Sequence, residues 1–251
     1  MLKYLFTFLL LLSFALAVPA SANEKISFVT LDSPPYSYME NGQIKGPGPI
    51  IIKAICTKLN VDYEIKLLPW RRALITVSRG LAQAIFFLSK NEQRELWLDF
   101  SPPIFQTEYG IFECATEPLK YKRIEDLKGK MFAAFSPSNA LNELRIINEQ
   151  LGGQIEIDIT ADSLSPFRKL NVCRVDGIYN NKDVGLAIIQ RENLKNINYA
   201  ATIKKLNYCI GFSKQHTPPN FVKEFNKHLI QMKKSGELAK ILKKINITPS
   251  K

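Results

Sequence analysis

Residues 84–88, Ala-Ile-Phe-Phe-Leu, restrict the fold more than any other segment of the chain. Five consecutive apolar residues leave no polar side to turn towards water. A strand of this kind is buried on both faces, the situation of a parallel sheet covered by helices. The flanking segments agree. Lys25–Leu31 (KISFVTL) is a strand candidate. In GPIIIKAICTKLN, Ile51, Ala54, Ile55 and Leu59 share one helical face and Asn60 is a stop signal. Val61, Tyr63, Ile65 and Leu67 alternate with strand period. WRRALITVSRG is a short helix ended by Gly80. The first 90 residues therefore contain a β-α-β-α-β unit.

A second unit follows. YGIFECAT, KMFAAF, QIEIDI and RVDGIY are strand candidates, as are INYAATI and LNYCIGFSK, taken as two strands. Leu141, Leu144, Ile147 and Leu151 mark a helix closed by Gly152-Gly153, and DVGLAIIQREN is another. The chain ends in two amphipathic helices. Phe221, Phe225, Leu229 and Met232 face one way on the first, and Leu238, Ile241, Leu242 and Ile245 on the second, with their lysines on the solvated side. The fold class is α/β. Two such units in one chain predict two Rossmann-like lobes, with ligands bound outside the carboxyl ends of the strands. No low-complexity linker separates the units, so hinge strands are expected to join them. Lobe 1 is expected over 23–112 plus 211–251 and lobe 2 over 113–210.

The first 22 residues stand apart. Lys3 precedes an apolar run from Tyr4 to Val18, and Ala20-Ser21-Ala22 follows as a small-x-small cleavage pattern. This is the form of a signal peptide, and the run falls short of the ~20 residues of a membrane span. Residues 1–22 are read as a signal peptide and the remainder as a soluble periplasmic protein. The net charge of +11 is spread along the chain rather than focused. No zinc-finger spacing or RNA-binding aromatic signature accompanies it, so nucleic acid is not an expected partner.

Cys56, Cys114, Cys173 and Cys209 form no CxxC pair and lie away in sequence from His216 and His228, so no metal site is indicated. An oxidising compartment permits one or two disulfides, and buried free thiols are the other reading. Cys114 and Cys209 both fall in strands near the expected hinge and are expected to lie close together.

Candidate site residues cluster where strands hand over to helices. In FSPSN, Ser136 is the expected N-cap of the next helix, with Pro137 in its first turn and Ser138 and Asn139 as further donors. A helix N-terminus of this kind suits a carboxylate or phosphate. At the corresponding place after AIFFL, Ser89 offers a hydroxyl, and Arg94 a planar fork that matches a carboxylate with two hydrogen bonds. By itself Arg94 also reads as a surface ion pair. Trp70 opens a helix after a strand and can cover an apolar ligand part, and Tyr36 sits in a loop after the first strand. GxSxG, GxxxxGK[ST] and HExxH are missing, so no catalytic residue and no cofactor is expected.

The order of PPYSYMENGQIKG, LPWRRALITVSRGLAQAIF, LSKNEQRELWLDFSPPIF, IEDLKGK and LNVCRVDGIY resembles the extracellular solute-binding proteins of family 3, in a branch with PWRRAL. The resemblance covers nearly all of the chain after residue 22. It implies a two-lobed periplasmic-binding-protein fold of type II that captures a small polar ligand for an ABC importer. The implied partners are that ligand and an inner-membrane permease, with the protein acting as a monomer. It also implies that Arg94 clamps a ligand carboxylate, that Ser89, Ser136 and Ser138 assist, and that Trp70 lines the pocket. Three positions depart from the family pattern. Asn181, preceded by Asn180, stands where amino-acid-binding members carry an acid for the α-amino group. KGPGPIII lacks the usual acidic residue, and Cys173 replaces a glycine. An amide cannot supply the counter-charge that a buried ammonium needs. An organic acid without an ammonium therefore fits at least as well as an amino acid. Two alternatives stay open: a periplasmic enzyme on this fold, of the cyclohexadienyl-dehydratase kind, and a ligand-binding subunit of a sensory system.

Overall fold

A computed structural model describes residues 25–245, 247, 249 and 250. The expected signal peptide lies outside the described residues. Among the described residues, eleven strands and eight α-helices follow one another along the chain. The first group contains β1 (Ile26–Thr30), the hairpin β2 (Tyr38–Glu40) and β3 (Gln43–Lys45), α1 (Pro47–Leu59), β4 (Tyr63–Leu67), α2 (Trp70–Ser78), β5 (Ala84–Leu88), α3 (Glu92–Glu95) and β6 (Leu98–Phe100). Next come β7 (Phe105–Cys114), a 3₁₀ turn at Ile124–Leu127, β8 (Met131–Phe135), α4 (Asn139–Gln150), β9 (Glu156–Thr160), α5 (Ser165–Asn171), β10 (Gly177–Asn181) and α6 (Lys182–Arg191). The chain closes with β11 (Ile197–Ser213), α7 (Pro219–Lys234) and α8 (Glu237–Lys243).

The strand order is β4-β1-β5-β11-β7-β10-β8-β9, with β6 also on β11. β1 pairs in parallel with β4 and β5, and β8 with β9 and β10. Antiparallel β11 joins the two groups. The segments INYAATI and LNYCIGFSK are one continuous strand of 17 residues, not two. The residues between them stay extended because they keep pairing with β7: Ala201 lies opposite Ile111 and Leu206 opposite Thr107. At Tyr208 the partner is still Phe105 of β7, whereas Cys209 already faces Leu88 of β5.

Each sheet is covered on both faces. Phe28 of β1 belongs to a core shared with α1, α7 and α8, while its neighbour Val29 packs on the other face with Ala73 and Val77 of α2. Phe225, Leu229 and Met232 of α7 are buried in the first of these cores, and burying one such side chain contributes about 1.5–3 kcal/mol. Phe112 and Ile178 pack with Phe167 of α5, whereas Leu141 and Leu144 of α4 cover the opposite face.

β5 is buried along its whole length, as its composition requires. It is also irregular. Leu88 pairs with Cys209 and Phe86 with Ile210, so Phe87 is an extra residue, and its φ of 58° is left-handed. The bulge breaks the two-residue alternation and puts Phe86 and Phe87 in the same core. A bulky residue with positive φ is held there only by its surroundings. Phe87 contacts Phe86, Phe105 and Tyr36 at centroid separations of 5.5, 5.0 and 6.0 Å.

Two further expectations are corrected. The N-cap of α4 is Ser138, whose hydroxyl accepts from Leu141 N at 3.0 Å, not Ser136. Pro137, joined to Ser136 by a cis peptide, lies ahead of the cap. Cys114 and Cys209 are also far apart. Cys114 faces Ile197 and Cys209 lies twelve residues further along β11, roughly 40 Å at 3.3–3.4 Å per residue. Cys114 instead forms a disulfide with Cys173, and Cys56 and Cys209 are buried free thiols. Cys173 has a left-handed φ of 51°, which accounts for the glycine expected at this place in the family pattern.

Candidate functional site

A cavity of about 90 Å³ lies where the two strand groups meet. Its wall begins after β1 with Leu31 and Ser33 and continues through Phe87, Leu88 and Ser89 at the end of β5. The opposite wall is Ala134 and Phe135 of β8, the first turn of α4, and Ile178–Asn181 of β10. Tyr109 of β7 and Tyr208 of β11 close the side next to the crossing strands. All these positions lie at carboxyl ends of strands or on the crossing strands, where the topology leaves a crevice.

Seven of the nine residues singled out from the sequence line this cavity: Trp70, Ser89, Arg94, Ser138, Asn139, Asn180 and Asn181. The other two do not. Tyr36 is buried beside the crevice, and its hydroxyl donates to Asp183 Oδ2 at 2.8 Å, with Asn181 Oδ1 3.3 Å away. The hydroxyl lies 2.9 Å from Thr107 Oγ1 as well. Ser136 is half-buried, and its backbone N–H is spent on Thr160 O at 3.0 Å.

Arg94 stands on the one-turn helix α3, whose N-cap Asn91 accepts from the Arg94 N–H at 2.9 Å. The side chain turns inward and is only 9% exposed. Nη1 donates to the Ser89 carbonyl at 2.8 Å, and the guanidinium lies 5.6 Å from the Trp70 ring centre. Among the described residues it makes no ion pair. Burial pulls its pKa below the ordinary arginine value, with neighbouring Tyr109 and Tyr208 acting the other way. Arginine stays protonated throughout the physiological range. The cavity thus contains a fixed, desolvated cation without a counter-ion.

The rest of the lining carries no charge. No aspartate, glutamate, lysine or histidine belongs to it. Asn181, at the expected place of an acid, is fully committed. Its Oδ1 caps α6 by accepting from Val184 N at 3.0 Å, and its Nδ2 donates to Thr107 Oγ1 at 2.6 Å and Tyr208 Oη at 3.3 Å. Asn180 Oδ1 accepts from the Asn181 N–H at 2.7 Å. Two polar atoms of the lining, Asn139 Nδ2 and Tyr179 Oη, are buried with no partner among the described residues. Buried polar groups are ordinarily satisfied, so these two are available to a guest.

Sequence reasoning missed Ser33, Phe87, Tyr109, Tyr179 and Tyr208, all in the lining. The tyrosines come from strands whose pairing partners are distant in sequence, and strand period alone does not tell which face meets a cleft. Phe87 looked like one residue of a buried strand because a bulge leaves no mark in an all-apolar run.

Comparison with known proteins agrees with this architecture. Residues 26–246 match the bacterial extracellular solute-binding proteins, family 3. The probable amino-acid-binding protein YxeM of Bacillus subtilis (strain 168) is 24% identical over 216 residues, covering 86% of this chain and 81% of the relative. An ancestral arginine-binding protein bound to arginine superposes with a TM-score of 0.77 at 24% identity, over 88% of this chain and 98% of that one. A histidine kinase sensor domain with similarity to periplasmic binding proteins gives 0.80 at 21% identity, over 91% and 99%. These solved structures share the two-lobed fold. The chain belongs to the bacterial extracellular solute-binding proteins of family 3.

Proposed function

We propose that this protein is a periplasmic receptor that captures a small carboxylate-bearing ligand in the crevice between its lobes and presents it to an ABC permease. The observation that carries this reading is the buried, unpaired guanidinium of Arg94 facing a cavity with no other charge. Leaving a buried charge uncompensated is costly, and a carboxylate accepting two parallel hydrogen bonds relieves it. Ser138 and Asn139 at the start of α4 add donors from the opposite wall. Trp70 and Ser89 hold Arg94 in place. Tyr36 and Asn181 brace the crossing strands through Thr107 and Asp183.

In this reading lobe 1 spans 23–112 plus 211–251 and lobe 2 spans 113–210. The change of β11 partner between Tyr208 and Cys209 supports the limit near 210, whereas β7 already pairs with β11 at Phe105, ahead of the limit at 112. A ligand touching both walls favours the closed arrangement, because only that arrangement offers both sets of contacts. Residues 1–22 act as the export signal. The Cys114–Cys173 disulfide suits an oxidising compartment. The lining offers no carboxylate, imidazole or amine as general acid or base, which favours capture over turnover.

The test is a thermal-shift screen of the purified protein, unfolded and refolded to strip bound ligand, against organic acids and amino acids. A ligand at a hundredfold excess over Kd stabilises the fold by about 2.7 kcal/mol. The shift is expected to vanish in Arg94→Ala while that variant remains folded. An unchanged shift in Arg94→Ala sinks the assignment.

A further inference from the structure

The cavity is one-sided in charge, and its unpartnered buried groups can each donate a hydrogen bond. Its unpartnered buried groups are an amide N–H, Asn139 Nδ2, and a phenol, Tyr179 Oη. The Ser138 hydroxyl already accepts from Leu141 N, which leaves its proton to donate. Asn181 Oδ1 is held as the cap of α6 by Val184 N, with Tyr36 Oη 3.3 Å away. Asp183, two residues beyond, faces away: its Oδ2 accepts from Tyr36 and Thr107, and it lines a separate cavity with Glu108 and Lys182. Near the mouth, Asp162 is spent on Leu164 N, Ser165 N and Ser165 Oγ, and Asp32 is exposed to solvent. An ammonium next to a carboxylate held by Arg94 therefore finds donors and aromatic walls but no carboxylate. Desolvating it there is unfavourable. A guest rich in acceptors meets every unpaired group.

We propose that the natural ligand is an organic acid with a hydrogen-bond acceptor, an oxo or hydroxy oxygen, where an amino acid has its ammonium, and with an apolar or aromatic body. The carboxylate sits on Arg94, and the second oxygen accepts from Tyr179 Oη and Asn139 Nδ2. The body lies among Trp70, Phe87 and Phe135. This inference rests on the carboxylate reading of the site given above.

The experiment uses matched triplets by calorimetry on the refolded protein: phenylalanine, phenylpyruvate and 3-phenylpropionate, and leucine with its 2-oxo and deaminated counterparts. In at least one triplet the oxo acid is expected to bind at least tenfold more tightly than the amino acid, with the deaminated acid in between. Tyr179→Phe is expected to weaken the oxo acid about tenfold and leave the deaminated acid unchanged. Amino acids binding as tightly as their oxo counterparts, with binding lost in Arg94→Ala, would overturn this inference and leave the carboxylate receptor standing. Equal loss of oxo and deaminated acids in Tyr179→Phe would overturn it too, by making Tyr179 a packing residue. No binding by any member of either triplet counts against both.

Discussion

The guanidinium carbon of Arg94 lies over the Trp70 ring in the crevice, 5.6 Å from its centre. The pair comes from two short helices, α3 and α2, that follow different strands of the same sheet. The ring helps desolvate the cation, and Nη1 is anchored on the Ser89 carbonyl, while no carboxylate among the described residues pairs with the guanidinium. A site of this form pays in stability for its readiness to bind.

That cost is measurable in the empty protein. Arg94→Met keeps most of the volume and removes the unpaired charge. Replacing buried ionic groups with apolar ones of similar size is often neutral or stabilising by 1–4 kcal/mol. Chemical denaturation without ligand should find Arg94→Met at least as stable as the parent, with binding lost. A loss of more than about 2 kcal/mol would mean that the contact to the Ser89 carbonyl is structural.

Ser138 serves two purposes, as N-cap of α4 and as part of the cavity wall. Ser138→Ala should cost about 1 kcal/mol of stability through the lost cap. Ser138→Asp keeps a capping acceptor yet places a second carboxylate opposite the ligand. It should therefore hold stability near the parent value and weaken acid binding at least tenfold. Urea denaturation and titration calorimetry separate the two effects.

The disulfide between Cys114 and Cys173 closes a loop with a sequence separation of 59. Loop-closure entropy assigns such a link about 4 kcal/mol. Cys114→Ser should lower stability by an amount of that order. It would leave Cys173 in its left-handed conformation with no covalent tie. Adding Cys173→Gly should then recover about 1 kcal/mol, since the left-handed region costs non-glycine residues roughly that much. Thiol titration of the denatured, unreduced protein should find two free thiols, those of Cys56 and Cys209.

Ligand affinity should be flat between pH 5 and 9. The ionisable groups in the lining are Arg94 and three tyrosines. Burial pushes Tyr109, Tyr179 and Tyr208 above the usual tyrosine value, away from this window. Affinity should fall only as the ligand's own carboxylate protonates at lower pH. Calorimetry across that range checks this, and a step near neutrality would point to a titrating group outside the lining.

Acid stability has a separate source at the edge of the sheet. Hydrogen bonding to Lys66 holds Glu64 down at about 2, and Lys25 is 3.3 Å away. The folded value lies below the ordinary 4.5, so this contribution is complete above pH 4.5 and disappears as pH falls towards 2. The pair is at the surface, so the effect should stay below about 1 kcal/mol. Glu64→Gln should lose that contribution at pH 7, change nothing near pH 2, and so flatten the stability profile between pH 5 and 2.

Much of this was legible in the chain. AIFFL announced a strand buried on both faces, Asn60 stopped α1, and the Phe221–Met232 stripe fixed the buried face of α7. These are local signals, set by period and capping. The same logic failed where distant segments decide. INYAATI and LNYCIGFSK merge because β7 runs alongside both. Cys114 finds Cys173 through the turn before β10, a neighbourhood that no spacing rule reveals. In the crevice, Arg94 and the α4 N-terminus were visible as chemical types. The three tyrosines were not, because their direction depends on register with strands far away in sequence.

Tyr208 is both the last β11 residue paired with β7 and a wall of the cavity. Its hydroxyl lies 2.8 Å from that of Tyr109, another wall residue on the neighbouring crossing strand. The part of the molecule that would turn is therefore also a part that walls the cavity. Rotation about the crossing would dismantle the chamber rather than uncover it, so an open form would hold half-sites and no vacant room. Occupancy and shape would then be one variable, and a membrane partner that feels the outline of the protein would already know whether it carries cargo.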